Sequence, residues 1–232
     1  MRTKRFYSDR KPESGHIEIV SDELFHLKNV LRGKPGDPVE VFDGKGKLFK
    51  GKIRSVADTK AVVSIETETA EAKPERNIII APSLLKRKPM SLMIEKLTEM
   101  GVEEICPVIF SRTEAVYSGS SMKKWERSAL ESLKVNDNLW PSQIHEPCTT
   151  EELIERSADI KNKILLDIEG KRTFIKNKGP FLCVIGPPGD FTPEEREMFI
   201  NAGFEPVNIN ESVMKVETAA FSAVSILKYL TR

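Results

Sequence analysis

From residue 77 onward the chain repeats one arrangement: a short apolar run, then a stretch of mixed polarity long enough for several helical turns. The runs are NIIIAPSLL (77–85), EICPVIF (104–110), KILLDIE (163–169), FLCVIG (181–186) and PVNIN (206–210). Periodicity predicts helices at roughly 89–100, 123–135, 150–158, 193–202 and 217–230. This alternation constrains the fold more than any other feature. It calls for a largely parallel sheet, because each strand-to-strand crossover carries a helix back over the sheet. Near-continuous apolar runs are what strands look like when both faces are covered.

The first 70 residues obey a different rule. Residues 37–67, DPVEVFDGKGKLFKGKIRSVADTKAVVSIET, alternate apolar and polar positions around Asp43-Gly44, which predicts short antiparallel strands joined by tight turns. Ahead of them, SDELFHLKNVLRG predicts a helix capped by Ser21, with Leu24, Leu27, Val30 and Leu31 on one face and Gly33 at its end. The polar segment TAEAKPER (69–76) reads as a linker. Two domains are therefore expected, a small β-rich one over 1–70 and an α/β one over 74–232.

The 232 residues carry a net charge of +1, which excludes a uniformly basic nucleic-acid coat but not local patches. No apolar window approaches a transmembrane span, and the basic start MRTKRFYSDRK lacks the apolar stretch of a signal peptide, so a cytoplasmic protein without membrane contact is expected. Cys106, Cys148 and Cys183 are odd in number and widely spaced, as are His16, His26 and His145. Neither a disulfide framework nor a metal cluster is expected from them.

Residues 184–195, VIGPPGDFTPEE, join a strand to a helix. Thr192 and Glu195 have capping-box spacing, and Pro193 sits at the first helical position. The turn lacks G-x-G-x-x-G, and no Lys-Ser/Thr follows its glycines, so neither dinucleotide nor P-loop binding is indicated. Asp190, Glu194 and Glu195 would repel a phosphate from the helix start. A phosphate-free ligand such as S-adenosylmethionine escapes that repulsion; the plainer alternative is a tight, well-capped connection with no ligand. Ligands of open α/β sheets bind beyond the carboxyl ends of strands, which groups the loops at 166–170, 186–190 and 209–216 around one crevice.

The segments MRTKRFYS, HLKNVLRGKPGD (26–37), KLTEMGVEEICPVIFSRT (96–113), IGPPGDFTPEE (185–195) and VETAAFSAV (216–224) together resemble the RsmE-type methyltransferases, which methylate N3 of a uridine in small-subunit (16S) ribosomal RNA. The resemblance runs nearly end to end. It implies a PUA-like RNA-binding β-barrel followed by a SPOUT-class α/β domain, whose C-terminal trefoil knot cradles S-adenosylmethionine and pairs two subunits as a homodimer. It places Leu166, Ile185, Gly186, Pro187, Gly189, Ile209, Asn210, Val213, Met214 and Thr218 around the cofactor, with Lys215 and Glu217 as catalytic candidates and no metal.

RNA contact is expected from Arg2, Lys4, Arg5, Arg10, Lys11 and Arg32, interleaved with Phe6 and Tyr7, and from Lys86, Arg87, Lys88 and Arg112. Residues 1–70 hold 14 basic and 11 acidic side chains, so affinity must also come from the shape of the RNA. The family's loop G-P-E-G-G-F is altered at Pro188 and Asp190, and two arginines of its L-G-x-R-I-L-R run are replaced by Ser212 and Lys215. Its E-Q-S-G-R run is replaced by KVNDN at 134–138. A catalytically impaired RNA-binding paralogue, or a methyltransferase with another RNA target, are the alternatives these departures raise.

Overall fold

The computed structural model describes residues 3–75, 77–172 and 179–230; Arg2 lies outside them. The chain forms two compact units, Met1–Pro74 with Leu130–Pro141, and Glu75–Ala129 with Ser142–Arg232. The first is a barrel-like five-stranded sheet in the order β1-β3-β4-β5-β2, made by β1 (Lys4–Tyr7), β2 (His16–Ile19), β3 (Pro38–Phe42), β4 (Lys47–Val56) and β5 (Ala61–Ala70). As the alternation predicts, β3, β4 and β5 pair antiparallel. The turn after β3 is held by Asp43, whose carboxylate accepts from the Lys45 and Lys47 amides at 2.7 and 3.0 Å. Strands β1 and β2 were not predicted, and β1 runs parallel to β3.

The expected Ser21 cap is corrected by the structure. Helix α1 (Ser21–Phe25) has Val20 at its N-cap with no side-chain hydrogen bond, and Ser21 itself sits at φ 54°. The helix then widens into a π turn over His26–Val30. Looser winding shifts the following residues around the axis, so Leu24 and Leu27 are buried while Val30, predicted on the same face, is 58% exposed.

Residues 130–141 bring a second small core to this unit, in which Leu133 and Leu139 pack with Phe42 and Leu48. Lys134 pairs with the buried Glu23, and Gly46 N donates to Leu139 O at 3.3 Å. No pattern within residues 130–141 announces this long-range packing.

The second unit is a parallel six-stranded sheet in the order β11-β9-β10-β6-β7-β8. Its strands are β6 (Ile78–Pro82), β7 (Glu104–Ile105), β8 (Gln143–Ile144), β9 (Asn162–Lys171), β10 (Phe181–Ile185) and β11 (Glu205–Val207). Successive residues feed opposite faces. Ile78, Ile80, Ile164, Cys183 and Ile185 pack with residues of α2 (Arg87–Glu99), α3 (Ser120–Ser132) and α6 (Val216–Leu230), whereas Ile79, Ala81, Leu165, Leu182 and Val184 pack with α4 (Thr150–Arg156) and α5 (Pro193–Asn201). Helices on both faces explain why these strands are apolar throughout. The predicted run at 104–110 shortens because Pro107 has no N–H for the ladder; beyond it only Val108 bridges to Ser83 and Cys148.

Candidate functional site at the carboxyl edge of the parallel sheet

Strands β6, β9, β10 and β11 are parallel neighbours, so their C-terminal ends deliver their loops to one edge. The loop after β10 is shaped by its backbone. Asp190 N donates to Pro187 O at 2.9 Å to close the turn, and Gly189 and Asp190 lie at φ 98° and 69°. Glycine adopts that region freely; aspartate does so at a cost, partly offset here because its carboxylate accepts from Phe191 N at 2.9 Å. Gly186 meets a different demand: a Cβ there would stand 3.0 Å from the buried Phe191 ring.

The helix that follows is sealed against anions. Thr192 Oγ1 accepts from Glu195 N at 3.2 Å and Glu195 returns the bond to Thr192 N at 2.9 Å, the predicted capping box. The other Glu195 oxygen accepts from Ser111 N at 2.7 Å. Backbone hydrogen bonding at the helix start, with Thr192, holds the Glu194 carboxyl below its ordinary range. Carboxylates therefore occupy the end of the dipole that a phosphate would need.

Neighbouring segments lock onto this loop. The Arg112 guanidinium donates to Gly189 O at 2.5 Å and to Asp190 O and Phe191 O at 3.4 and 3.3 Å. Asp167, buried midway along β9, binds Arg196 Nε at 2.5 Å, and that contact raises the pKa of the arginine. Asn208 ties the start of the β11 loop to β9, its Nδ2 donating to Ile168 O at 2.5 Å and its backbone N to Lys171 O at 3.0 Å, and Asn210 Nδ2 donates to Ser212 O at 2.9 Å. β11 ends at Val207, short of the predicted residue 210, and residues 166–170, expected as a loop, lie within β9, which continues to Lys171.

The loops enclose a cavity of about 830 Å³, within the range of small-molecule sites. It is lined by every cofactor candidate from the sequence except Thr218, which is exposed in the first turn of α6 and lies outside the lining. Lys215 and Glu217 also line it. The sequence missed Leu84, Leu85, Pro89 and Glu114; the first two could have been found, since they follow the end of β6, whereas Asp167 lies in the 166–170 segment already grouped at the crevice. Lys86 and Arg112, expected on an RNA surface, line the cavity instead. Lys86 pairs with Glu114 at 2.8 Å, while Arg87 and Lys88 are exposed.

In the first unit, two expectations for an RNA surface need correction. Phe6 is fully buried and cannot stack on a base. The Arg5 side chain is 6% exposed, paired with Glu40 at 3.0 Å and donating to Leu133 O and Asn136 O, so its charge lies inside the unit. Lys4 is half-buried, with Nζ donating to Leu31 O at 3.0 Å; Tyr7 is half-buried against Phe42; Arg10, Lys11 and Arg32 are exposed. Away from the cavity the fold brings one Cys and one His of the scattered set together with a glutamate. Ligand atoms of Glu104, Cys106 and His145 all lie within 4.8 Å of one another.

Residues 71–228 match the RNA methyltransferase domain family, and residues 21–66 match the RNA methyltransferase PUA domain. Among curated proteins, the ribosomal RNA small subunit methyltransferase E of Aquifex aeolicus is 28% identical over 233 residues, covering 96% of this chain and 97% of that protein. The protein of the same name from Mesomycoplasma hyopneumoniae is 27% identical, covering 93% and 95%. The crystal structure of a ribosomal RNA small subunit methyltransferase E from Neisseria gonorrhoeae bound to S-adenosyl methionine superposes with a TM-score of 0.84 at 23% identity, covering 99% of this chain and 98% of that one, and so shares the fold.

Proposed function

The chain belongs to the RNA methyltransferase family, and from that premise we propose that it methylates N3 of a uridine in 16S ribosomal RNA with S-adenosylmethionine as donor. The observation that carries this reading is the cavity: large enough for a nucleoside-sized ligand, bounded largely by apolar side chains and loop backbone, and carrying the carboxylates of Glu114, Asp167, Asp190 and Glu217 on its wall. A ligand with a cationic centre, a ribose and an adenine fits that chemistry. Residues 166, 185–189 and 209–214 would hold it, with Leu84 and Leu85 adding apolar surface. When bound, the donor supplies an electrophilic methyl carbon attached to sulfonium.

The protein's own residues then have two tasks. One is to hold the base in line with the donor; the other is to make N3 nucleophilic by favouring loss of its proton. Lys215 lines the cavity without an ion-pair partner among the described residues, which supports a role in placing positive charge beside the uracil carbonyls. Glu217 makes no side-chain hydrogen bond among them either, which leaves its carboxylate available to accept the N3 proton. The exposed cations of the first unit, Arg10, Lys11 and Arg32, together with Arg87 and Lys88, would meet RNA phosphates. We further propose that two copies pair through a C-terminal knot and that the protein works in the cytoplasm.

Two measurements test this. Calorimetric titration with S-adenosylmethionine should show one site per chain, and absence of binding would favour an RNA-binding paralogue without turnover. Nucleoside mass analysis of ribosomal RNA from a deletion strain should show loss of N3-methyluridine; an unchanged amount would reject the target.

A further inference from the structure

We infer that Glu104, Cys106 and His145 form a binding site for one zinc-class divalent transition metal ion, separate from the cofactor cavity. The three side chains come together by strand register. β7 and β8 pair in parallel with Glu104 opposite Gln143 and Ile105 opposite Ile144, which carries Cys106 opposite His145. Alternate residues of a strand share a face, so Glu104 and Cys106 project on the same side, with His145 beside them. Backbone bonds hold the frame: Cys106 N donates to Ile80 O and His145 N to Ile105 O, both at 2.9 Å.

The donor set is a thiol, an imidazole and a carboxylate, all three of which zinc accepts. In a tetrahedral site with ligands at ~2.0–2.3 Å, neighbouring donor atoms stand roughly 3.3–3.8 Å apart. Here all donor atoms lie within 4.8 Å of one another, and His145 Nε2 is already 3.0 Å from Glu104 Oε2. Small side-chain rotations therefore suffice. The His145 and Glu104 side chains are 29% and 16% exposed, enough for an ion to enter and for water to complete the coordination. Carboxylate, thiolate and imidazole are chemically unlike one another, which favours a borderline ion over magnesium or calcium.

Binding has a defined proton balance. The Cys106 thiol releases its proton to solvent as the sulfur–metal bond forms; the proton that His145 Nε2 shares with Glu104 moves to Nδ1 of the neutral ring, which frees Nε2 and the carboxylate to bind the metal with no second proton released. Since β7 and β8 pair through only two residue positions each, a bound ion would cross-link a short edge of the sheet.

The full chain, freed of metal by dialysis against a chelator, should be titrated with Co(II) and then Zn(II). Expected are one ion per chain, a thiolate-to-cobalt charge-transfer band, about one proton released, and a higher unfolding temperature with Zn(II). C106S should lose the band, and H145A and E104Q should weaken binding at least roughly tenfold, while C148S should bind as the parent does. C148S is the matched control because Cys148 is buried and directed at Pro107 O at 3.8 Å. Absence of the band, or binding by C106S and H145A equal to that of the parent, overturns the proposal, whether or not any variant is also less stable.

Discussion

Replacing Gly186 by alanine should injure both stability and cofactor binding through a single collision. The new Cβ would stand 3.0 Å from two ring carbons of Phe191 and 3.3 Å from a third, against an optimal carbon separation of ~3.5–4.0 Å. The ring cannot retreat easily. It is 7% exposed and stacks edge-on between Phe110, with centroids 5.3 Å apart, and Phe199, at 5.9 Å. Relief requires either the three-ring cluster or the cavity wall to move by about half an ångström. Overpacking of this kind costs ~1–3 kcal/mol, which for a chain of this length lowers the unfolding temperature by about 3–10 °C. Because Gly186 also lines the cavity, S-adenosylmethionine affinity should fall about tenfold, equivalent to ~1.4 kcal/mol. Thermal unfolding and calorimetric titration measure the two effects. In an F191L background the smaller side chain should remove about 1 kcal/mol of the G186A cost. A G186A protein that unfolds and binds like the parent, or one whose penalty is the same with leucine at 191, would refute the collision.

Three further outcomes follow from contacts at or near the site. Glu195→Ala removes the acceptor of both Ser111 N and Thr192 N. It should cost ~2–4 kcal/mol in denaturant unfolding, and a loss under about 1 kcal/mol would show that water replaces the carboxylate. Burial raises the pKa of Glu103 in the folded state above its ordinary 4.5, despite the bond it accepts from Ile78 N. Between those two values the folded form holds a proton that the unfolded chain has released, so stability falls as pH rises through that window. Stability measured against pH should therefore show Glu103→Gln gaining on the parent above about pH 4.5; a constant difference would remove Glu103 as the cause. Lys215→Ala should depress single-turnover methylation more than it depresses S-adenosylmethionine affinity, and equal methylation rates would exclude the lysine from the chemistry.

Local patterns announced what local forces build. The parallel sheet was legible because two-sided burial makes each of its strands apolar, and the α5 boundary was legible because Thr192, Pro193 and Glu195 act within four residues. What escaped was built by distant partners. Strand β1 is only KRFY, too short for alternation to show that Phe6 points inward, so the segment read as a basic, aromatic RNA surface. Leu133 and Leu139 pack beneath Phe42 from nearly a hundred residues away. Arg112 passed for a surface cation because its acceptors, the carbonyls of residues 189–191, are remote in sequence. The register that brings His145 beside Cys106 is equally invisible in their spacing.

The departures from the resembled family divide by what they change. At position 190 the backbone lies at φ 69°, a region in which glycine is at ease; aspartate keeps the same turn by accepting from its neighbour's amide, so this substitution alters strain more than shape. Pro188 stiffens the same turn, whose closing bond from Asp190 N to Pro187 O is intact. Ser212 instead removes a positive charge at the cavity, and Lys215 keeps one but changes its shape. Around it Lys86 is paired with Glu114, Arg112 is engaged by three carbonyls, and Asp167 is neutralised by Arg196. With Ser212 carrying no charge, Lys215 is the one lining cation without such a partner among the described residues. Lysine offers a point charge where arginine would offer a planar fork. A point charge is enough to favour a deprotonated base but grips its edge less rigidly, so the substitution should be felt more in the alignment of the RNA than in the binding of the methyl donor.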